Sequence, residues 1–155
     1  RIFEETRQRF PGVESRSMHV DALAALFVLQ PESLEVVVGS NLFGDILTDL
    51  GAALLGGIGV SPSANLNPER RFPSMFEPVH GSAPDIAGKG IADPIGAFWS
   101  IVLMLEHIGL AEEGTRLMTA IETMLQEGIV LTPDLGGSAT TAEVTDRVIE
   151  ALHNP

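Results

Sequence analysis

Two aspartates four residues apart, Asp45 and Asp49, stand in the segment Ser40-Asn-Leu-Phe-Gly-Asp-Ile-Leu-Thr-Asp-Leu50. A helix is expected over residues 42–55, and one helical turn of 3.6 residues puts both carboxylates on the same face. Like charges stacked this way repel, so the pattern calls for a cation between them. A hard divalent ion, Mg²⁺ or Mn²⁺, suits carboxylate oxygens best. The plainer account is that Asn41 caps the helix and the aspartates favour its positive end. The spacing alone leaves both accounts open.

Residues 34–38, apolar but for Glu35, read as a buried strand feeding that helix. Before it, residues 1–10 read as a helix without an N-cap signal, as if the chain were the latter part of something longer. Pro11-Gly12 ends it, and residues 15–20 are expected to form a short strand. Residues 21–30 form a strong helix stopped by Pro31, with Asp21 in its first turn, where the dipole favours a carboxylate. Gly56-Gly57-Ile58-Gly59 breaks the central helix and marks the expected domain boundary. Residues 61–71 read as a polar loop and 72–79 as an extended segment. The apolar run 95–108 is expected to be a helix buried all round. An amphipathic helix follows over 111–126, stopped by Gly128. After a turn at 132–137, a last helix is capped by Ser138 or Thr140, with Val144, Val148, Ile149 and Leu152 inside. The pattern is α/β, rich in helix after residue 95.

A second stretch with chemical potential is the loop 80–90, His80-Gly-Ser-Ala-Pro-Asp-Ile-Ala-Gly-Lys-Gly90. The small residues Gly81, Ser82 and Ala83 would let a ligand approach backbone N–H groups. Asp85 offers an acceptor pair for the vicinal hydroxyls of a ribose. A glycine-rich loop is equally well a set of turns, and His80 equally well a histidine bonded in a corner.

Composition narrows the chemistry. The chain has 155 residues and a net charge of -12, which disfavours nucleic acid and anionic membrane surfaces as partners. It has no cysteine, so thiol nucleophiles, zinc-thiolate sites and disulfides are ruled out. It has no tyrosine, and Lys89 is its single lysine, so proton transfer by these groups has almost no candidates here. With no visible signal peptide and no apolar run near bilayer length, a cytoplasmic location is expected.

Asn41-Leu-Phe-Gly-Asp-Ile-Leu-Thr-Asp49 followed by Phe76-Glu-Pro-Val-His-Gly-Ser-Ala-Pro-Asp-Ile-Ala-Gly-Lys-Gly90 closely resembles the β-decarboxylating dehydrogenases. The resemblance extends through Pro133-Asp-Leu-Gly-Gly-Ser138. Ser63-Ala-Asn-Leu-Asn-Pro-Glu-Arg70 is more similar to the tartrate and D-malate branch than to the isopropylmalate branch, whose loop there is shorter. The resemblance implies an isopropylmalate-dehydrogenase-like α/β fold. Residues 1–56 would end a central dimerisation and metal-binding domain, and 57–155 would be the C-terminal half of an NAD-binding domain.

It also implies a Mg²⁺ or Mn²⁺ site of Asp21, Asp45 and Asp49, with Asp21 reaching in from the other subunit of a homodimer. NAD would lie along the loop, with Glu77 near the nicotinamide, His80 to Ala83 on the adenosine side and Asp85 on the ribose. A carboxylate at Asp85 would repel a 2′-phosphate and so favour NAD over NADP. Asp93 stands where the family has Asn before proline, which bears on the adenine-side contacts. The family's catalytic lysine and tyrosine lie before the point matched by Arg1, so no catalytic residue is expected within the chain. The implied activity is oxidative decarboxylation of tartrate or D-malate, with 3-isopropylmalate as the alternative. A non-catalytic dimerisation or binding fragment is the alternative of another class.

Overall fold

A computed structural model describes residues 1–153. Two compact units divide the chain, Arg1–Leu50 and Gly51–Pro155, the division falling inside the central helix a few residues before Gly56.

The first unit opens with α1 (Ile2–Arg9), which buries no side chain and carries surface pairs Arg1–Glu5 and Arg7–Glu4. Helix α2 (Val20–Leu29) follows, and Pro31 opens a 3-10 turn (Pro31–Ser33) directly behind it. Both strands expected in this unit are absent. Residues 14–19 and 36–40 are irregular, and Val36 and Val38 are 86% and 93% exposed rather than buried. A strand exists only where a neighbour takes its N–H and C=O groups, and no described residue pairs with these segments. Helix α3 (Asn41–Leu55) is then continuous, and Leu47 is its buried residue within the first unit.

In the second unit, Gly56 and Gly57 end α3 with φ of 125° and 129°, backbone that a side chain would strain. A 3-10 turn (Ile58–Val60) leads into β1 (Pro62–Asn65), which pairs antiparallel with β2 (Met75–Pro78), Ser63 opposite Glu77. The expected polar loop at 61–71 thus holds a short strand. Pro62 is tolerated because it begins the strand, where no ladder N–H is required.

Helix α4 (Ile95–Ile108) packs on the hairpin and on α5 (Ala111–Glu127), and α5 packs on α6 (Thr141–His153). Their shared core holds Ile95, Val102, Ile121, Met124, Val144 and Val148. Burying one such side chain is worth about 1.5–3 kcal/mol. Helix α4 is not buried all round: Ile101 and Ile108, seven residues apart and so on one stripe, are exposed. On α6, Ala151 is inside and Ile149 outside, because i, i+4, i+7 from Val144 leads to Ala151.

Gly128 ends α5 in the left-handed conformation. A capping box starts α6: Glu143 N–H donates to Thr140 Oγ1 (3.2 Å), and Thr140 N–H donates to Glu143 Oε2 (2.7 Å). That bond and one from the Thr140 hydroxyl hold the Glu143 carboxyl below its ordinary range. Among the described residues no helix is long and apolar enough to cross a membrane.

Candidate functional site

The acidic face of α3 belongs to the first unit. Asp45 and Asp49 are the fifth and ninth residues of the helix, and its first turn contains no acid. The helix dipole acts on the first turn only, so it does not explain them. Asn41 is the first residue of the helix, and its Nδ2 donates to Asp45 Oδ2 at 3.4 Å. Thr48 Oγ1 donates back to the carbonyls of Gly44 and Asp45, both at 3.0 Å. Both carboxylates are exposed, and no cationic side chain among the described residues pairs with either. Two uncompensated hard oxygen donors one turn apart fit a hard divalent cation as half of a site.

Asp21 lies apart in the first turn of α2, exposed, its Oδ1 accepting the N–H of Ala22 at 2.8 Å. Among the described residues no three acidic or imidazole groups gather into a cluster able to hold a metal. The fold therefore brings Asp45 and Asp49 together and leaves Asp21 out of any such cluster within one chain.

The loop after β2 belongs to the second unit. Glu77 is exposed on β2. Val79 N–H donates to Ser61 O at 3.1 Å and carries the pairing one residue past the strand. His80 Nδ1 sits 3.0 Å from the carbonyl of Gly81, which can only accept, so Nδ1 bears the proton. Ala83 has φ of 40°, left-handed for a residue with a side chain. Strain of this kind gathers where a ligand or turn demands it.

Two more turns follow, Ile86 N–H to Ala83 O and Lys89 N–H to Ile86 O, both 3.1 Å. Gly81, Ser82, Ala83 and Asp85 all face solvent. The far end of the loop is tied to α6, where Thr141 donates through N–H to Gly90 O (2.8 Å) and through Oγ1 to Ala92 O (2.5 Å). The exposed small residues and the open Asp85 carboxylate fit the phosphate-and-ribose side of a dinucleotide.

Asp93 differs from the rest. Its side chain is 7% exposed, and its Oδ1 accepts the N–H of Ile95 at 2.8 Å, capping α4. Its Oδ2 is buried without a hydrogen bond of ordinary geometry, and so is the Oγ1 of Thr132. Burial is the main cause that pushes the Asp93 carboxyl above its ordinary range, and the charge of Asp134 adds to it. The Ile95 N–H, the Thr132 hydroxyl and His80 act the other way. Thr132 and Asp134 carried no signal as partners of Asp93, being read simply as a turn thirty-nine and forty-one residues further on.

Residues 1–148 match the isocitrate/isopropylmalate dehydrogenase family. The chain is 54% identical over 151 residues to a probable tartrate dehydrogenase/decarboxylase of Bacillus subtilis (strain 168), covering 97% of this chain and 42% of that protein. It is 49% identical over 154 residues to the decarboxylating D-malate dehydrogenase of Escherichia coli (strain K12), covering 96% and 42%. It thus spans about two-fifths of the length of these curated relatives. Its backbone is similar to the crystal structure of isocitrate dehydrogenase from Methylococcus capsulatus, with a TM-score of 0.90 and 38% identity over 97% of this chain and 44% of that one. Helix motif, loop motif and backbone agree, and the chain belongs to the isocitrate/isopropylmalate dehydrogenase family.

Proposed function

We propose that the natural protein carrying this sequence is an NAD-dependent, Mg²⁺- or Mn²⁺-dependent dehydrogenase that oxidatively decarboxylates a 2-hydroxy dicarboxylic acid. Tartrate or D-malate is the preferred substrate, on the names of relatives about half identical over nearly all of this chain. 3-Isopropylmalate is the alternative. The observation that carries the reading in this chain is the pair Asp45 and Asp49, uncompensated, exposed and beyond the reach of the helix dipole.

Bound NAD⁺ would supply the hydride acceptor, and the divalent ion would supply Lewis acidity at the substrate carbonyl. Asp45 and Asp49 would hold the ion from α3, and Asp21 would complete the set from a second copy in a homodimer. Support for that dimer is the exposure of Val36 and Val38, just before α3, and of Leu42 in its first turn, apolar surface of a kind usually covered. Residues 1–56 would accordingly serve dimerisation and metal binding, and 57–155 NAD binding. Gly81, Ser82 and Ala83 would admit the dinucleotide close to backbone N–H groups, Asp85 would accept the ribose hydroxyls, and Glu77 and His80 would flank it. Asp93 would act there by fixing the start of α4. These residues bind and orient. None of them moves the proton, since the chain lacks tyrosine and its one lysine, Lys89, sits in the loop. A cytoplasmic location completes the reading.

The test is reduction of NAD⁺ by the natural protein with Mn²⁺ and each of D-malate, tartrate and 3-isopropylmalate. Failure with all three sinks the reading. Asp45→Asn is expected to weaken Mn²⁺ binding about tenfold, by removing one charged ligand. The same change should leave the apo melting temperature unmoved or slightly raised, since relief of i,i+4 repulsion is worth a few tenths of a kcal/mol. Calorimetric Mn²⁺ titration of both proteins checks it. Turnover by the isolated 155-residue chain would contradict the assignment of no catalytic residue to it. The alternative of a non-catalytic dimerisation or binding fragment rests on that same lack of proton-transfer groups.

A further inference from the structure

The β1/β2 hairpin carries Glu77 and leads straight into His80, yet it is a two-stranded ladder of four residues a side. Such a ladder is marginal alone in water, so its position depends on what it is fastened to. Helix α4 packs along it, and the side-chain fastening is at the C-terminal end of that helix. His107 Nε2 lies 3.0 Å from the Oγ of Ser74, the residue immediately before β2. Ser74 Oγ already accepts the N–H of Asn67 at 2.9 Å, so its own hydroxyl proton is free to go to His107 Nε2.

Two further contacts converge on the same residue. The His107 ring sits 5.6 Å from the ring of Phe76 on β2, at 53°. Arg70, with a left-handed φ of 54°, donates through a guanidinium N–H to the His107 carbonyl at 2.8 Å. The loop 66–74 and the strand are therefore gripped by one histidine, through its ring nitrogen, its ring and its carbonyl at once.

We propose that His107 is a positioning residue for the dinucleotide loop: by holding Ser74 and Phe76 it fixes β2, and with it Glu77 and His80, against α4. The proposal rests on the reading of residues 77–85 as the NAD site. His107 touches no reacting atom, so its loss weakens bound NAD in ground state and transition state alike. That raises KM for NAD⁺ and leaves kcat nearly level.

The experiment titrates NADH by fluorescence into the natural protein, its His107→Leu, His107→Gln and Ser74→Ala variants and the His107→Leu/Ser74→Ala double variant, with steady-state kinetics alongside. If NADH must re-dock a β2 that has come loose, the worth of that one hydrogen bond sets the expected loss, roughly fivefold weaker NADH binding and a matching rise in KM for NAD⁺ in His107→Leu. Gln can still accept from the Ser74 hydroxyl, so His107→Gln should recover most of the affinity. The double variant should bind no more weakly than His107→Leu, because both changes remove one interaction.

A purely structural role would lower the melting temperature and leave NADH affinity unchanged, and that result overturns the proposal. So does a fall in kcat at unchanged affinity, or a His107→Gln variant as weak as His107→Leu. Should His107→Leu not fold, Ser74→Ala decides alone: wild-type affinity there overturns the inference. If the unaltered protein binds no NADH, the NAD reading itself fails and this inference with it. Binding by the unaltered protein with no change in the variants defeats the inference only.

Discussion

Gly137→Ala is expected to destabilise the second unit by about 3 kcal/mol or more, the largest effect of any change considered, through overpacking against backbone. A Cβ on residue 137 would stand 2.0 Å from the carbonyl oxygen of Leu131 and 2.6 Å from its carbonyl carbon. Neither atom can turn away as a side chain would. The backbone must move, and it is already committed. Gly137 N–H donates to Thr132 O at 3.0 Å, and Ala139 N–H donates to the same Leu131 carbonyl at 2.8 Å. Displacing them opens the turn that delivers Thr140 to the start of α6. Urea denaturation of the natural protein checks the value. Gly81→Ala is the control, since nothing lies within 4 Å of a Cβ there, and it should fall within about 0.5 kcal/mol of the unaltered protein. Equal midpoints for Gly137→Ala and the control would refute the steric argument.

Asp93→Asn is expected to do the reverse and stabilise the protein near neutral pH, by about 1–3 kcal/mol, the usual cost of an unsatisfied buried polar group. Asn keeps the Oδ1 that accepts the Ile95 N–H, and its Nδ2 brings a donor to the Thr132 hydroxyl, which faces the Asp93 carboxyl without a bond of ordinary geometry. It also removes a charge that is buried beside Asp134. The sign with pH follows from the raised carboxyl. In the folded protein Asp93 holds its proton to higher pH than in the unfolded chain, where it ionises near pH 3.8. Across the window from the unfolded value up to the folded one, the native state binds more protons, so stability falls as pH rises. Asn does not titrate. The advantage of the variant should therefore be small at pH 4 and grow to its full size above the window. Denaturation of both proteins at the two ends measures it. A difference that does not change with pH, or a variant weaker at neutral pH, would show that Asp93 is not a buried ionised burden.

Parts of this architecture are legible because their determinants are local. The i, i+4, i+7 spacing of Leu117, Ile121 and Met124 defines the inner face of α5, and Gly128 supplies its left-handed stop. Thr140 and Glu143 announce the start of α6 by a reciprocal pair of bonds three residues apart. Asp45 and Asp49 share a face because the helix period requires it. The loop 80–90 is equally legible as a run of turns, since small residues and glycines set its backbone one residue at a time.

Other features are not local and could not be read. Residues 34–38 look like a buried strand by composition, but burial and pairing belong to a partner, and the described chain supplies none. The strand Pro62–Asn65 was hidden in polar residues and exists because Met75–Pro78 pairs with it. Ile149, expected inside, is exposed, and Ala151 is buried, because the direction of the core, more than hydrophobicity, decides which stripe of α6 is covered.

By itself the sequence determined the helices, the Gly128 stop of α5 and the Thr140 cap of α6, the acidic pair on α3 and the small-residue loop, all through interactions within about one helical turn or one tight turn. Only the tertiary structure decided that Asp93 is buried against Thr132 and Asp134, and that His107 grips Ser74 across thirty-three residues. The physical reason is that burial and long-range hydrogen bonds depend on which surfaces meet, and no local rule of chain geometry states that.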